Sequence, residues 1–571
     1  MVRYAVAEMR GIAPNRLRRI ARFVATPWGA RTCVALLVVA LLGPFLGKAF
    51  HIDDTLFLAA ATRIVEAPLD PYGFEINWFG APESMWRASQ NPPANAYLVA
   101  GVLSVAGYRE VVHHAVYLAI AIGAALLMLA IAGRLCSRPL LVVGLTVVSP
   151  AFVVSATSVM ADLPLLACWL AAVLFTLRAA GGEGDRQLWI AGVAAAAAVM
   201  IKYFGIALLP LLVVYWWLRT RRLTPHLVAF ALPVVALLGW GFYAQAVSGL
   251  FHPLAASAFS FETALRLPAL AARSTQTLAF LGGITVWPLV AFPLFSRNRI
   301  RLLAVSAAAG TLFALLGFGE VPAAVRWLWC AMLVVGVLLL VVSAESWRRR
   351  PDAQSALLGL WLFGTIVFTA FFNWTVAARV LLPAVFPAAL LVVRAADDRT
   401  FPRAGPAALG WVALPVAGLS LVLALADMHH ANASRTYART TARAFAPAAA
   451  DPGARDRVAF LGHWGFQHYM EREGFPALDT RSRPRPSDLI LVSYNNSNTR
   501  VIRRIPCVAL RDDRVPQAFG LHVMNGASHA GYYSAIGGPV PFAPAGDRPT
   551  DRFVACEVLG GGSGSAPRDE P

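Results

Sequence analysis

Residues 32–54 read TCVALLVVALLGPFLGKAFHIDD: an apolar run long enough to cross a bilayer, a lone lysine near its end, then two adjacent carboxylates, Asp53 and Asp54. A hydrocarbon core about 30 Å thick needs about 20 apolar residues in a helix. Runs of this kind recur through the first 430 positions. The chain of 571 residues is 58% hydrophobic and 14% charged, and its mean hydropathy is +0.60. A soluble protein of that length would need more polar surface. The composition therefore points to a polytopic α-helical membrane protein. The charged stretch from Arg3 to Arg22 does not fit a cleavable signal, being too long and lacking a small-residue cleavage site.

The net charge of +18 does not mark a nucleic-acid binder, because the cations sit in short clusters between apolar runs. That is the pattern expected of cytoplasmic loops. Thirteen spans are expected, near 31–49, 111–133, 139–157, 161–178, 187–201, 203–218, 226–246, 276–294, 302–318, 325–343, 355–372, 379–394 and 407–426. With the N-terminus in the cytoplasm, the clusters at Arg16 to Arg22, Arg134 and Arg138, Arg178 and Arg186, Arg219 to Arg222, Arg297 to Arg301, Arg348 to Arg350 and Arg394 to Arg403 all fall on one side. Two outer loops are long. Residues 50–110 carry Tyr72, Phe74, Trp78, Phe79 and Trp86 and suit helices lying at the membrane interface; residues 247–275 are aromatic and amphipathic too.

After residue 430 the texture turns polar, with short strand-like runs such as RVAFLGHW and SDLILVSY between Pro, Gly and Asn. Residues 1–430 read as a membrane domain and residues 431–571 as an extracytoplasmic α/β domain with a disordered tail from about 559. Cys507 and Cys556 are the only cysteines of that domain. In an oxidising compartment they can pair, or remain two buried thiols.

The acids of the opening stretch emerge on the outer face under this topology. So do Asp162 in SVMADLPLLACW, Lys202 in MIKYFGIALLP and Arg379 in NWTVAARVLLPAVF. Only two of the 49 basic residues are lysines, Lys48 and Lys202. Ionisable groups at membrane depth cost about 2.5–3.5 kcal/mol each on insertion scales and mark function. A carboxylate can take the proton of an attacking hydroxyl or amine, and Lys and Arg can hold a departing phosphate. The competing reading of each residue alone is modest: an acid can complement a helix dipole, and a cation can reach for headgroups.

At these residues the chain resembles the C-type glycosyltransferase superfamily, and within it the family 39 group of protein O-mannosyltransferases and lipid A aminoarabinose transferases. HIDDTLFLAAATRIVEAPLDPYGF is similar to that family's first loop and SQNPPANAYLVAG to its Pro-Pro segment. IKYFGIALLP is similar to its Lys-containing helix start, ARVLLPAVFPAALL to its late Arg segment, and RVAFLGHWGFQHYMEREG to the opening of a periplasmic domain. The resemblance implies an inverting transfer of a sugar from a polyprenyl-phosphate donor to a lipid, protein or glycan acceptor at the bacterial inner membrane. Asp53 would be the base, Asp54 and Asp162 further catalytic acids, and Lys202 and Arg379 the donor-phosphate clamp. His51, Tyr203 and Glu320 would be substrate contacts, although His51 reads first as a capping or interfacial residue. Where relatives carry a basic residue before the Pro-Pro, this chain has Gln90 and Asn91. No dedicated metal site is expected, and the acids leave open whether a divalent ion takes part. The alternatives are a transporter or lipid flippase whose acids carry protons or substrate, and an assembly protein built around the C-terminal domain. Inverted repeats, the mark of many transporters, are not evident.

Overall fold

The computed structural model describes residues 22–264, 267–288, 308, 321–397, 406–445, 457–497, 499, 502 and 505–559. Among the described residues, eight helices are long and apolar enough to cross a membrane, or nine if the bent pair Pro139–Val147 and Pro150–Ala156 is one span. The expected count of thirteen included a span at 187–201, whose helix, Arg186–Ile201, has 16 residues and at about 24 Å is short of a full crossing. It also included 302–318, which lies almost wholly outside the described residues, as does Glu320.

Helix boundaries follow the local sequence. Thr26 caps Pro27–Leu42, its hydroxyl accepting from the Gly29 amide at 3.0 Å. Ser149 caps Pro150–Ala156 with proline at the first helical position, and the two halves of the pair bend by 61° there. The helices Leu267–Thr285 and Ala323–Arg349 touch backbone to backbone. A Cβ on Gly282 would fall 1.9 Å from the Met332 carbonyl oxygen, and one on Gly336 would fall 2.1 Å from that of Leu278. Small residues at a helix crossing let the axes approach this closely.

The first loop folds as two helices, Asp54–Glu66 and Ala94–Ala106, packed on each other and joined through a small hairpin, Glu75–Asn77 with Pro82–Ser84. The last membrane helix does not stop near residue 430. It runs unbroken from Pro406 to Phe445 and carries the chain into the C-terminal domain. There a four-stranded sheet has the order Val458–Leu461, Leu489–Ser493, Asp551–Val558, Cys507–Val515. The first two strands are parallel, linked by a crossover containing the helix Trp464–Arg472, and the other pairs are antiparallel. Cys507 and Cys556, on neighbouring strands, are joined by a disulfide. Reduction should lower the stability of this domain by about 2–4 kcal/mol, read as a fall in its thermal midpoint with reductant that Cys507→Ser abolishes.

The domain is riveted to the bundle by a buried ion pair. The Lys48 ammonium lies 2.5 Å from Asp427 Oδ2, and both side chains are fully buried. Tyr533 of the C-terminal domain donates its hydroxyl proton to the same carboxylate oxygen at 2.6 Å. Lys48 also reaches the hydroxyls of Thr157 and Ser158 at 3.5 and 3.4 Å. Four distant segments thus converge on one charge pair.

Candidate active site

A cavity of about 1130 Å³ opens where the bundle meets the C-terminal domain. Its charged floor comes from four separate segments. Asp53 precedes the helix Asp54–Glu66, and Asp162 opens the helix Asp162–Ala180. Lys202 occupies the extended residue where Arg186–Ile201 ends, and Arg379 begins the turn before Leu382–Asp397. Arg379 Nη2 lies 2.5 Å from Asp53 Oδ2, and its Nη1 lies 3.8 Å from Asp162 Oδ2 and 3.2 Å from Met160 Sδ. Lys202 Nζ is 2.6 Å from Asp162 Oδ1. The four groups form a chain of alternating sign, Asp53, Arg379, Asp162, Lys202, and all four line the cavity.

Asp53 is the most open of the two acids, its side chain 25% exposed against 5% for Asp162. Asp162 lies between two cations, one oxygen facing Lys202 and the other facing Arg379. Asp53 has one cationic partner and an edge toward the cavity. The two acids thus differ in environment: Asp162 is enclosed between the cations, and Asp53 keeps an open edge toward the cavity.

Asp54, expected as a catalytic acid, does not line the cavity. It is fully buried, and its carboxylate is occupied by two backbone amides, His51 N–H at 3.0 Å and Val159 N–H at 2.7 Å. It staples the first loop to the turn before Asp162. Between these contacts Ile52 stands at φ 50°, a left-handed conformation that a β-branched residue avoids at a cost of order 1–3 kcal/mol. The staple holds this strained turn, and the turn delivers Asp53. His51 also lies outside the cavity lining; it is buried, its ring set edge-on to His430 at 4.6 Å. Tyr203 does line the cavity. Its hydroxyl accepts from Trp240 Nε1 at 2.9 Å and bonds His252 Nδ1.

The C-terminal domain contributes polar lining to the same cavity, including Asn495, Asn525 and Asp551. Burial pushes the Asp551 carboxyl up to about 6, against the opposing amide of Asn495 and hydroxyl of Ser493. Phe259, Phe261, Phe368 and Phe372 make an apolar side. Asp427, Tyr533 and Arg273, which fix the surroundings of the site, were not among the residues expected from sequence. Among the described residues, no group of three or more His, Cys, Asp or Glu side chains is arranged to hold a metal ion.

The family model for dolichyl-phosphate-mannose-protein mannosyltransferases matches residues 90–251. Among solved structures, ArnT from Cupriavidus metallidurans bound to undecaprenyl phosphate is 13% identical with a TM-score of 0.43, over 95% of this chain and 100% of that one. The oligosaccharyltransferase of Archaeoglobus fulgidus tethered to an acceptor peptide is 12% identical with a TM-score of 0.46, over 80% of this chain and 65% of that one. The same organism's AglB in complex with an inhibitory peptide and a dolichol-phosphate is 13% identical with a TM-score of 0.40, over 80% and 57%. No curated protein matches the sequence. The matched segment runs from Gln90 past Asp162, Lys202 and Tyr203, and with it the chain resembles the C-type membrane glycosyltransferases, in the group of the dolichyl-phosphate-mannose-protein mannosyltransferases.

Proposed function

We propose that this protein transfers a sugar from a polyprenyl-phosphate donor to an acceptor hydroxyl or amine, with inversion at the anomeric carbon. The observation that carries the reading is the convergence of Asp53, Arg379, Asp162 and Lys202 on one cavity. The family match is to enzymes named for a lipid-phosphate sugar, which fits a site built to hold a phosphate. Asp53 takes the acceptor proton as the acceptor oxygen or nitrogen bonds the anomeric carbon. The bond from that carbon to the phosphate oxygen breaks, and the lipid phosphate leaves with the electron pair. Lys202 and the guanidinium fork of Arg379 balance the charge that develops on it. Asp162 keeps the two cations apart from each other and aimed at the same point.

The site opens toward the side away from the cytoplasm in this reading. From Asp162 to Arg178 the helix rises about 24 Å, so the arginine-bearing end of that span is remote from the site. Arginine-rich ends face the cytoplasm, which leaves the cavity and the C-terminal domain on the outer face of a bacterial inner membrane. The acceptor, whether lipid, protein or glycan, is the partner on that side.

The test is to incubate membranes containing the protein with a panel of radiolabelled polyprenyl-phosphate sugars. One label is expected to leave the lipid for an acceptor. Lys202→Ala should slow that transfer by about 10²–10³, the usual effect of deleting one charge-stabilising donor. Release of no label from any donor, or equal release by Lys202→Ala, would reject the reading.

A further inference from the structure

Arg379 is held by irregular backbone. After the helix Ala353–Val367 and the wide turn Phe368–Phe372, the chain runs without regular structure until Arg379. Backbone of this kind survives beside a membrane only where other protein groups satisfy its amides and carbonyls. Here the partners come from two directions. Arg273 donates to the carbonyls of Ala370 at 2.8 Å and Trp374 at 3.2 Å, and to that of Asn373. From the other side, the C-terminal domain presents Tyr532–Ala535. The Ala378 amide donates to the Tyr532 carbonyl at 2.8 Å, and the Ala535 amide donates to the Val376 carbonyl at 2.8 Å. The hydroxyls of Thr375 and Ser534 meet at 3.0 Å. This is strand-like pairing between a loop of the soluble domain and the residues that lead into Arg379.

The pairing segment is itself anchored deep in the bundle. The Tyr532 hydroxyl lies 3.0 Å from that of Ser155 and within 3.2 Å of the carbonyls of Pro150 and Ala151, at the bend of the broken helix pair. The neighbouring Tyr533 bonds Asp427. Both rings are almost fully buried. A domain that merely covered the cavity would not need two tyrosines sunk among membrane helices with their backbone paired to an active-site loop.

We propose that Tyr532–Ala535 is a positioning element for Arg379, so that the C-terminal domain completes the phosphate clamp, whatever part it also takes in choosing the acceptor. This rests on the reading of Arg379 as a phosphate-binding group. Tyr532 and Ser534 are positioning residues that act through the 375–379 backbone, Tyr532 from outside the cavity lining and Ser534 from its edge.

The test uses the full chain in lipid nanodiscs and undecaprenyl phosphate as the probe. Tyr532→Phe with Ser534→Ala should weaken binding about tenfold, equivalent to about 1.4 kcal/mol. Restoring a hydroxyl by Ser534→Thr in the Tyr532→Phe background should recover most of that loss. Arg379→Ala should weaken binding further, and Arg511→Ala, on the exposed outer strand, should bind like wild type. A purely structural role would lower the thermal midpoint and leave the affinity of the folded protein unchanged. If the double variant binds within about twofold of wild type while Arg379→Ala loses binding, the inference is overturned and the proposed reaction stands. If Arg379→Ala binds normally, the phosphate reading fails and the inference falls with it. Should the double variant not fold, Tyr532→Phe alone decides, since Tyr532 lies outside the cavity lining: a loss of about threefold supports the inference, and unchanged affinity overturns it.

Discussion

Asp53→Asn is expected to reduce sugar transfer by about 10³-fold, within the 10²–10⁴ that a positioned general base contributes. The amide keeps the shape of the carboxylate and can still accept a hydrogen bond from Arg379, so the clamp should stay assembled. What disappears is the ability to take a proton. The loss should therefore fall on kcat and kcat/KM together, the signature of an interaction made only in the transition state. Undecaprenyl-phosphate affinity should hold or rise, since the guanidinium loses a competing negative charge 2.5 Å away. The contrast with Asp54→Asn is informative. That change leaves the cavity lining untouched but weakens the staple on the Ile52 turn, and its cost should appear first in thermal stability. Full activity in Asp53→Asn would move the base elsewhere, and Asp162, between two cations, is poorly placed to replace it.

The second large effect is on stability. Lys48→Met should destabilise the folded protein by about 3–5 kcal/mol, because it strands a buried carboxylate without its counter-charge. Asp427 is fully buried, and after the change the Tyr533 hydroxyl would be its remaining hydrogen-bond partner among the described residues. Removing both charges by Lys48→Met with Asp427→Leu should recover most of the loss, since apolar replacement of a whole buried pair is often neutral. Thermal unfolding in detergent measures the single and double variants, and the cycle between them gives the coupling. Additive effects would show that the two side chains do not depend on each other.

Much of this architecture was legible in the sequence, and the reasons are physical. The membrane class follows from apolar runs that no soluble surface could accommodate. The grouping of Asp53, Asp162, Lys202 and Arg379 followed from placing arginine clusters on one side and asking which charges remained on the other. Which of two adjacent acids enters the cavity was not legible. Successive residues at a helix start point about 100° apart, so one carboxylate must turn away, and only the fold decides that it is Asp54. Lys48 stood out as one of two lysines, but its partner Asp427 lies 379 residues further on, in a helix whose local pattern carries no sign of the pairing. Arg273 falls in the stretch 247–275 that reads from sequence as an amphipathic outer loop, where a cation passes for surface, yet it sits on the helix Leu267–Thr285. The tyrosines at 532 and 533 lie in a polar domain and gave no hint that they are sunk among membrane helices.

The unbroken helix from Pro406 to Phe445 spans 40 residues, about 60 Å at the usual rise. A rod of that length, pinned at Asp427 and packed against the helix Trp464–Arg472, is unbroken at the border it crosses. Bundle and appended domain then share one stiff member, so passage of bulky molecules falls to the cavity that opens between them. An acceptor too wide for that gap would be excluded by stiffness, before any chemical preference is consulted.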